Sequence, residues 1–246
     1  MGPRENTFPR HLLRPNIDSR KATASVSCMI LLSEMRGPVL LLRLNRPEKR
    51  NALSMALCSA LVDALRAAED DAGVSAVVLA GEGAGFCAGG DLEERRLLAE
   101  DPFAWQARAA LADAVLAAPG AMAKPMVAAV HGRVVGMGAS LMLGCDMVAA
   151  AEDALFTWPE ARHGIWPHLV VLQLLRHLGP KDAFELLATG RTLDAAEARA
   201  LRLVNRVVAR DALLDEACAL AVTAAQYGPE SLRGIKALID AAGIRR

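Results

Sequence analysis

Gly85-Phe86-Cys87-Ala88-Gly89-Gly90-Asp91 and His131-Gly132-Arg133-Val134-Val135-Gly136-Met137-Gly138 are two glycine-rich turns of the same kind. Each follows an apolar run with strand character, Ala76 to Ala80 for the first and Met126 to Val130 for the second. Each then enters a stretch with helical character. Two strand–turn–helix corners of this sort can aim two backbone N–H groups at one point. Paired N–H donors are what an enolate-forming or acyl-transfer enzyme uses to hold a developing oxyanion. Glycine lets the backbone approach a ligand closely, and helix N-termini add partial positive charge there.

Outward from these turns, Val39 to Leu44 reads as a buried strand stopped by Pro47. Ser54 is a candidate N-cap for a helix to about Glu69, with Leu57, Leu61, Val62 and Leu65 at helical spacing. Ser75 to Ala80 is a strand. Leu92 to Leu98 and Phe103 to Ala118 are helical, broken at Pro102. Ala139 to Gly144 is a short helix, and Met147 to Ala151 and Ala154 to Thr157 are short strands. After Trp158 the pattern turns helical over about 169–178, 181–189, 194–200, 211–226 and 230–242, with a strand-like Val204 to Val208 between. The early alternation predicts α/β layers, and the last third a helical subregion of the same fold. The expected organisation is a disordered leader over 1–27, a core over 28–190 and a helical region over 191–246. The leader holds Arg4, Arg10, Arg14, Arg20 and Lys21 against Glu5 and Asp18. Its prolines at 3, 9 and 15 spoil an amphipathic targeting helix, which favours a plain leader or a functional start at Met29 or Met35.

Composition excludes several classes. The 28 basic and 28 acidic residues cancel, which argues against nucleic acid or an anionic membrane as partner. Only 4% of residues are aromatic, too few for a base-stacking platform. No apolar run reaches the ~18 residues of a membrane span. The cysteines Cys28, Cys58, Cys87, Cys145 and Cys218 include no C-x-x-C pair, so neither a disulfide framework nor structural zinc is expected. A reducing, cytoplasmic compartment fits. His163 and His168 are poorly spaced for one helix face and read as structural or pocket-lining, and no metal site is expected.

Asn45-Arg46-Pro47-Glu48-Lys49-Arg50-Asn51-Ala52-Leu53 precedes the first turn. Lys124-Pro125-Met126-Val127-Ala128-Ala129-Val130-His131-Gly132 leads into the second. Cys145-Asp146, Phe156-Thr157-Trp158-Pro159-Glu160 with Gly164, Thr189-Gly190-Arg191 and Leu203-Val204-Asn205-Arg206-Val207-Val208 follow. Taken in order from about residue 37 to 242, these segments resemble the crotonase (enoyl-CoA hydratase/isomerase) superfamily. The resemblance implies a spiral of ββα units with two roughly perpendicular sheets, and trimers, often paired into hexamers. It implies a coenzyme A thioester substrate and no separate cofactor. By position, the oxyanion amides are those of Gly90 and Met137. The adenine and phosphate end lies near Lys49, Arg50, Ala52 and Ala88, with Asp91 and Leu92 along the pantetheine.

Departures from the pattern bear on mechanism. Family hydratases carry two glutamates; the second is here Glu160, but the first position holds Ser140. A hydroxyl cannot ionise near neutral pH, so one carboxylate remains for acid–base work. A 3,2-enoyl-CoA isomerase needs only one, and that activity is the expectation. The alternatives are a hydratase in which Ser140 and Glu160 share a water, or a catalytically silent subunit. Gly164 to Val171 lacks the glycine-rich run of the hydratases, and Trp158, Trp166 and His168 are expected around the acyl group. Met137 stands where glycine is usual and would be strained at positive φ. The chain stops at Arg246, before the final helix and tail usual in the family.

Other motifs resolve to bland readings. Gly83 to Ala88 fits a loose G-x-G-x-x-A, but the following region is helical instead of the second strand that a dinucleotide site needs. Gly138-Ala139-Ser140-Leu141-Met142 lacks the closing glycine of a hydrolase nucleophile turn. Cys87 reads as a buried apolar thiol, and Asp146 as structural.

Overall fold

Strands buried on both faces read as unbroken apolar runs, and four such runs form the centre of this molecule. A computed structural model describes residues 29–166 and 168–241; the leader expected over 1–27 lies outside them. Strands β1 (Leu31–Arg36), β2 (Val39–Leu44), β3 (Ala76–Gly81) and β4 (Met126–Val130), with β6 (Met147–Ala151) and β9 (Arg206–Val208), make one sheet in the order β1-β2-β3-β4-β6-β9. β1 is antiparallel to β2, and the remaining neighbours are parallel. A second sheet, β5-β7-β8, comprises β5 (Arg133–Val135), β7 (Leu155–Thr157) and β8 (Thr192–Asp194). The chain steps from the first sheet to the second twice, from β4 to β5 and from β6 to β7.

Helices fill the connections: α1 (Met55–Asp70), α2 (Leu92–Leu98), α3 (Pro102–Ala121), α4 (Met137–Gly144), α5 (His168–Leu175), α6 (Pro180–Thr189), α7 (Ala195–Ala200), α8 (Leu213–Ala225) and α9 (Gly228–Ala241). Side chains alternate across a strand, so each run serves two cores. Leu42, Leu44, Val77, Leu79, Met126 and Ala128 face Leu57, Leu61 and Leu65 of α1, Val115 of α3 and Leu141 of α4. Val39, Leu41, Ala76, Val78, Val127 and Ala129 face Leu213, Ala217 and Ala221 of α8. Each buried Leu or Val side chain contributes about 1.5–3 kcal/mol relative to exposure.

The mixed α/β class is as expected, and so are most elements. Ser54 caps α1, its Oγ accepting the Leu57 N–H at 3.3 Å. Pro102 opens α3 instead of breaking a helix, because Asp101 caps the Phe103 and Ala104 amides at 2.9 and 3.1 Å and proline is preset for the first helical position. The region beyond residue 190 also carries strands: β8 pairs with β7 and β9 with β6, so it adds to both sheets. Three strands escape a reading by periodicity. β1 is an edge strand of mixed Leu, Ser, Glu, Met and Arg, and β5 and β8 are only 3 residues long each.

Candidate functional site

The two glycine turns are stitched together by backbone bonds. Phe86 N–H donates to His131 O at 2.9 Å, Cys87 N–H to Arg133 O at 3.2 Å, and Val135 N–H to Cys87 O at 2.9 Å. On its other side the first turn pairs with Leu53, whose N–H donates to Gly89 O at 2.8 Å and whose carbonyl accepts Asp91 N–H at 3.1 Å. This pairing uses the neighbours of Gly90 and directs its own N–H away from Leu53. Gly136 N–H donates to Thr157 O at 2.8 Å. Met137 opens α4, where a first-turn N–H has no helical acceptor. Among the described residues, the Gly90 and Met137 amides donate to no protein acceptor. Both residues line the same cavity, of about 240 Å³.

Asn51 organises this corner, and sequence reasoning quoted it without giving it a task. Fully buried, its Oδ1 accepts Arg46 N–H at 2.8 Å, and its Nδ2 lies 2.8, 3.0 and 3.1 Å from the carbonyls of Glu82, Gly85 and Phe86. It holds the strand end, the first turn and the preceding loop as one unit. Only its position six residues after Asn45, in a left-handed conformation (φ 56°) that asparagine tolerates, hints at this.

Glu160 stands on the cavity wall at the start of a 3-10 turn, Glu160–His163. Burial raises its carboxyl above the ordinary glutamate range, opposed only weakly by a hydrogen bond from its own amide. Oε2 is buried without a hydrogen-bond partner among the described residues. The side chain lies against Gly136, whose φ of 52° and ψ of −119° are open to glycine. A Cβ there would overlap Glu160 Oε1 and sit 3.3 Å from Cδ. Gly132 and Gly136 thus carry the positive φ of the second turn, and Met137 avoids it. The strain considered for Met137 does not arise.

The other expected residues divide. Ala88, Leu92, Trp166 and His168 line the cavity with Gly90, Met137 and Glu160. Ser140 does not: it is wholly buried in α4, and its Oγ donates back to Gly136 O at 3.3 Å. Trp158 is also turned inward, with 0% exposure, as part of the core. Asp91 does not line the cavity, and its carboxylate is fully engaged within the protein. Its Oδ1 caps the Glu93 and Glu94 amides and its Oδ2 receives Arg46 Nη1 and Nη2, all at 3.1 Å. Burial alone would raise this carboxyl, but the Glu94 amide and Arg46 outweigh it and hold it below its ordinary value. Lys49, exposed, pairs with Glu93 at 2.7 Å. Arg50 offers its carbonyl to Ala88 N–H at 2.9 Å, and the Ala52 carbonyl accepts Arg46 Nη1 at 2.6 Å. These three shape the first turn without lining the cavity. Burial pushes the Cys87 thiol up to about 12, so it is no nucleophile at neutral pH. Among the described residues no cluster of His, Cys, Asp or Glu suits a metal ion, and no helix is long and apolar enough to cross a membrane.

Two inward amides and one buried, basic-shifted carboxylate around an apolar cavity can hold an enolate oxygen and move a proton beside it. The family model described as enoyl-CoA hydratase/isomerase matches residues 34–244. A Thermus thermophilus protein provisionally named enoyl-CoA hydratase is 43% identical over 209 residues, covering 83% of this chain and 81% of its own. The crystal structure of an enoyl-CoA hydratase from Polaromonas superposes with a TM-score of 0.82 at 35% identity, over 87% of this chain and 84% of the other. That of an enoyl-CoA hydratase from Mycobacterium smegmatis gives 0.79 at 37%, over 85% and 82%. With its folded core, its interlocked turns and nearly its whole length accounted for in this way, the chain belongs to the enoyl-CoA hydratase/isomerase family of acyl-CoA enzymes.

Proposed function

We propose that this protein moves the double bond of a 3-enoyl-CoA to the 2 position. Glu160 is the single acid/base, and the Gly90 and Met137 amides hold the thioester oxygen. The carboxylate takes a proton from C2, the electrons shift into a dienolate whose oxygen faces the two amides, and the same carboxyl returns the proton to C4. Atoms and charge balance with no water added. The observation that carries this reading is the solitary placement of Glu160. Ser140 is tied back into α4, and the other carboxylate on the wall, Asp113, belongs to an exposed residue of α3. A raised carboxyl pKa matches proton donation as well as abstraction. In this reading Lys49, Arg50, Ala52 and Ala88 lie toward the nucleotide end of the coenzyme, and Asp91 and Leu92 along the pantetheine.

Water addition to a 2-enoyl-CoA is the second reading, favoured by the hydratase names of the relatives. It would require Glu160 to position a water without a second carboxylate. Incubation with 3-enoyl and 2-enoyl thioesters in oxygen-18 water, read by mass spectrometry, separates the two. A conjugated product of unchanged mass supports the double-bond shift; a product heavier by one labelled water overturns it.

A further inference from the structure

The wall of the cavity formed by α2 and α3 carries more positive charge than the fold requires. Arg95 and Arg108 both line the cavity and share Trp105, their guanidinium carbons lying 5.0 and 5.9 Å from its ring centroid. Among the described residues, no carboxylate lies within ion-pair distance of Arg95. Arg108 is only 13% exposed, and its compensation is weak. Nη2 reaches the Asp91 carbonyl at 3.5 Å, and Nε stands 3.8 Å from Glu94 Oε2 with no hydrogen bond. That glutamate is already engaged, accepting Met55 N–H at 3.1 and 2.9 Å through its two oxygens. Burial and the nearby Arg108 charge both lower the Arg95 pKa, the mark of two cations crowded together.

Buried guanidinium groups are normally matched by anions. Contact with the indole face restrains both groups, and Arg95, with no ion pair, keeps its donors for a bidentate acceptor. The acidic residues on the lining do not supply one: among the described residues, neither Glu160 nor Asp113 lies within ion-pair distance of either arginine. At about 240 Å³ the cavity also falls below the ~300–1,000 Å³ of drug-sized ligand sites, which is room for a short acyl group.

We infer that the acyl group this enzyme takes is short and ends in a carboxylate, bound by Arg95 and Arg108 beside Trp105. The inference rests on the reading that the acyl chain lies in this cavity. A phosphate of coenzyme A would present similar chemistry, so the test separates the two sources. Binding to the full-length protein is measured by calorimetry with free coenzyme A and with saturated thioesters of four to eight carbons, each methyl-ended acyl group paired with its ω-carboxy counterpart. Because these thioesters carry no double bond, their binding is independent of Glu160 chemistry, and either reading can fail alone. At the preferred length the ω-carboxy member is expected to bind at least about 10-fold more tightly, as befits a charge-assisted pair. Arg95→Gln should remove that preference and leave the methyl-ended affinity unchanged. Arg108→Lys, which keeps the charge but not the fork, should reduce it. Equal or tighter binding of the methyl-ended member at every length overturns the inference. So does a loss on Arg95→Gln shared by both thioesters and free coenzyme A, which would give the arginines to the phosphates. Binding of neither thioester overturns it as well.

Discussion

Gly136→Ala puts the smallest side chain into the contact that positions Glu160. Two costs follow from the structure. The backbone at φ 52°, ψ −119° is unfavourable for alanine, a strain of roughly 1–3 kcal/mol. In a chain of this size that lowers Tm by roughly 2–12 °C, at about 2–4 °C per kcal/mol. The new Cβ would also overlap Glu160 Oε1. To restore ordinary van der Waals separation the carboxylate must withdraw by roughly 1 Å. A displacement of that size at a reacting group costs about 10²-fold in rate. The assay pairs kcat/KM for a 3-enoyl thioester with thermal unfolding and calorimetric binding of a saturated thioester. The expected result is a folded variant that binds the thioester and loses about 10²-fold or more in kcat/KM. A fully active Gly136→Ala would show that the Glu160–Gly136 contact does not position the chemistry.

Three further outcomes follow from the same geometry. Because burial raises the Glu160 carboxyl, the folded state holds that proton more tightly than the unfolded chain. The resulting stabilisation is complete below the ordinary glutamate value of about 4.3 and is lost as pH rises through the raised value. Glu160→Gln should therefore gain Tm relative to wild type between pH 4 and 8; a difference that does not change with pH contradicts the burial argument. Ser140→Ala removes only a 3.3 Å bond inside α4, so kcat/KM should stay within about 2-fold and stability within about 1 kcal/mol; a loss of 10²-fold would bring Ser140 back into the chemistry. Asn51→Ala leaves the buried carbonyls of Gly85 and Phe86 and the part-buried carbonyl of Glu82 without their shared donor. Urea unfolding should show a loss of about 3–5 kcal/mol, and a loss under 1 kcal/mol would refute its bridging role.

What the sequence discloses here follows from the range of the forces involved. β2, β3, β4 and β6 are legible because burial on both faces makes each an apolar run. The two turns are legible because close backbone approach demands glycine at fixed places. Ser54 is legible because capping is local. Contacts made at a distance leave no such trace. Arg46 and Asp91 are 45 residues apart, and nothing local shows that the aspartate caps α2 and pairs with that arginine. Trp158 and Trp166 look alike as large apolar residues, yet one is wholly buried and the other is 89% exposed on the cavity rim. Ser140 occupies the position that the family resemblance marks, but its side chain is too short to leave the helix, so it bonds four residues back. The Arg95–Trp105–Arg108 group is spread over two helices and shows no periodicity that singles it out.

The most direct test of the central claim compares wild type and Glu160→Gln for conversion of a 3-enoyl-CoA to the conjugated 2-enoyl-CoA, followed by the rise in conjugated thioester absorbance. With Glu160 as the only acid/base, the variant should bind substrate normally and lose about 10²- to 10⁴-fold in kcat. Full activity in Glu160→Gln would contradict the single-carboxylate mechanism outright.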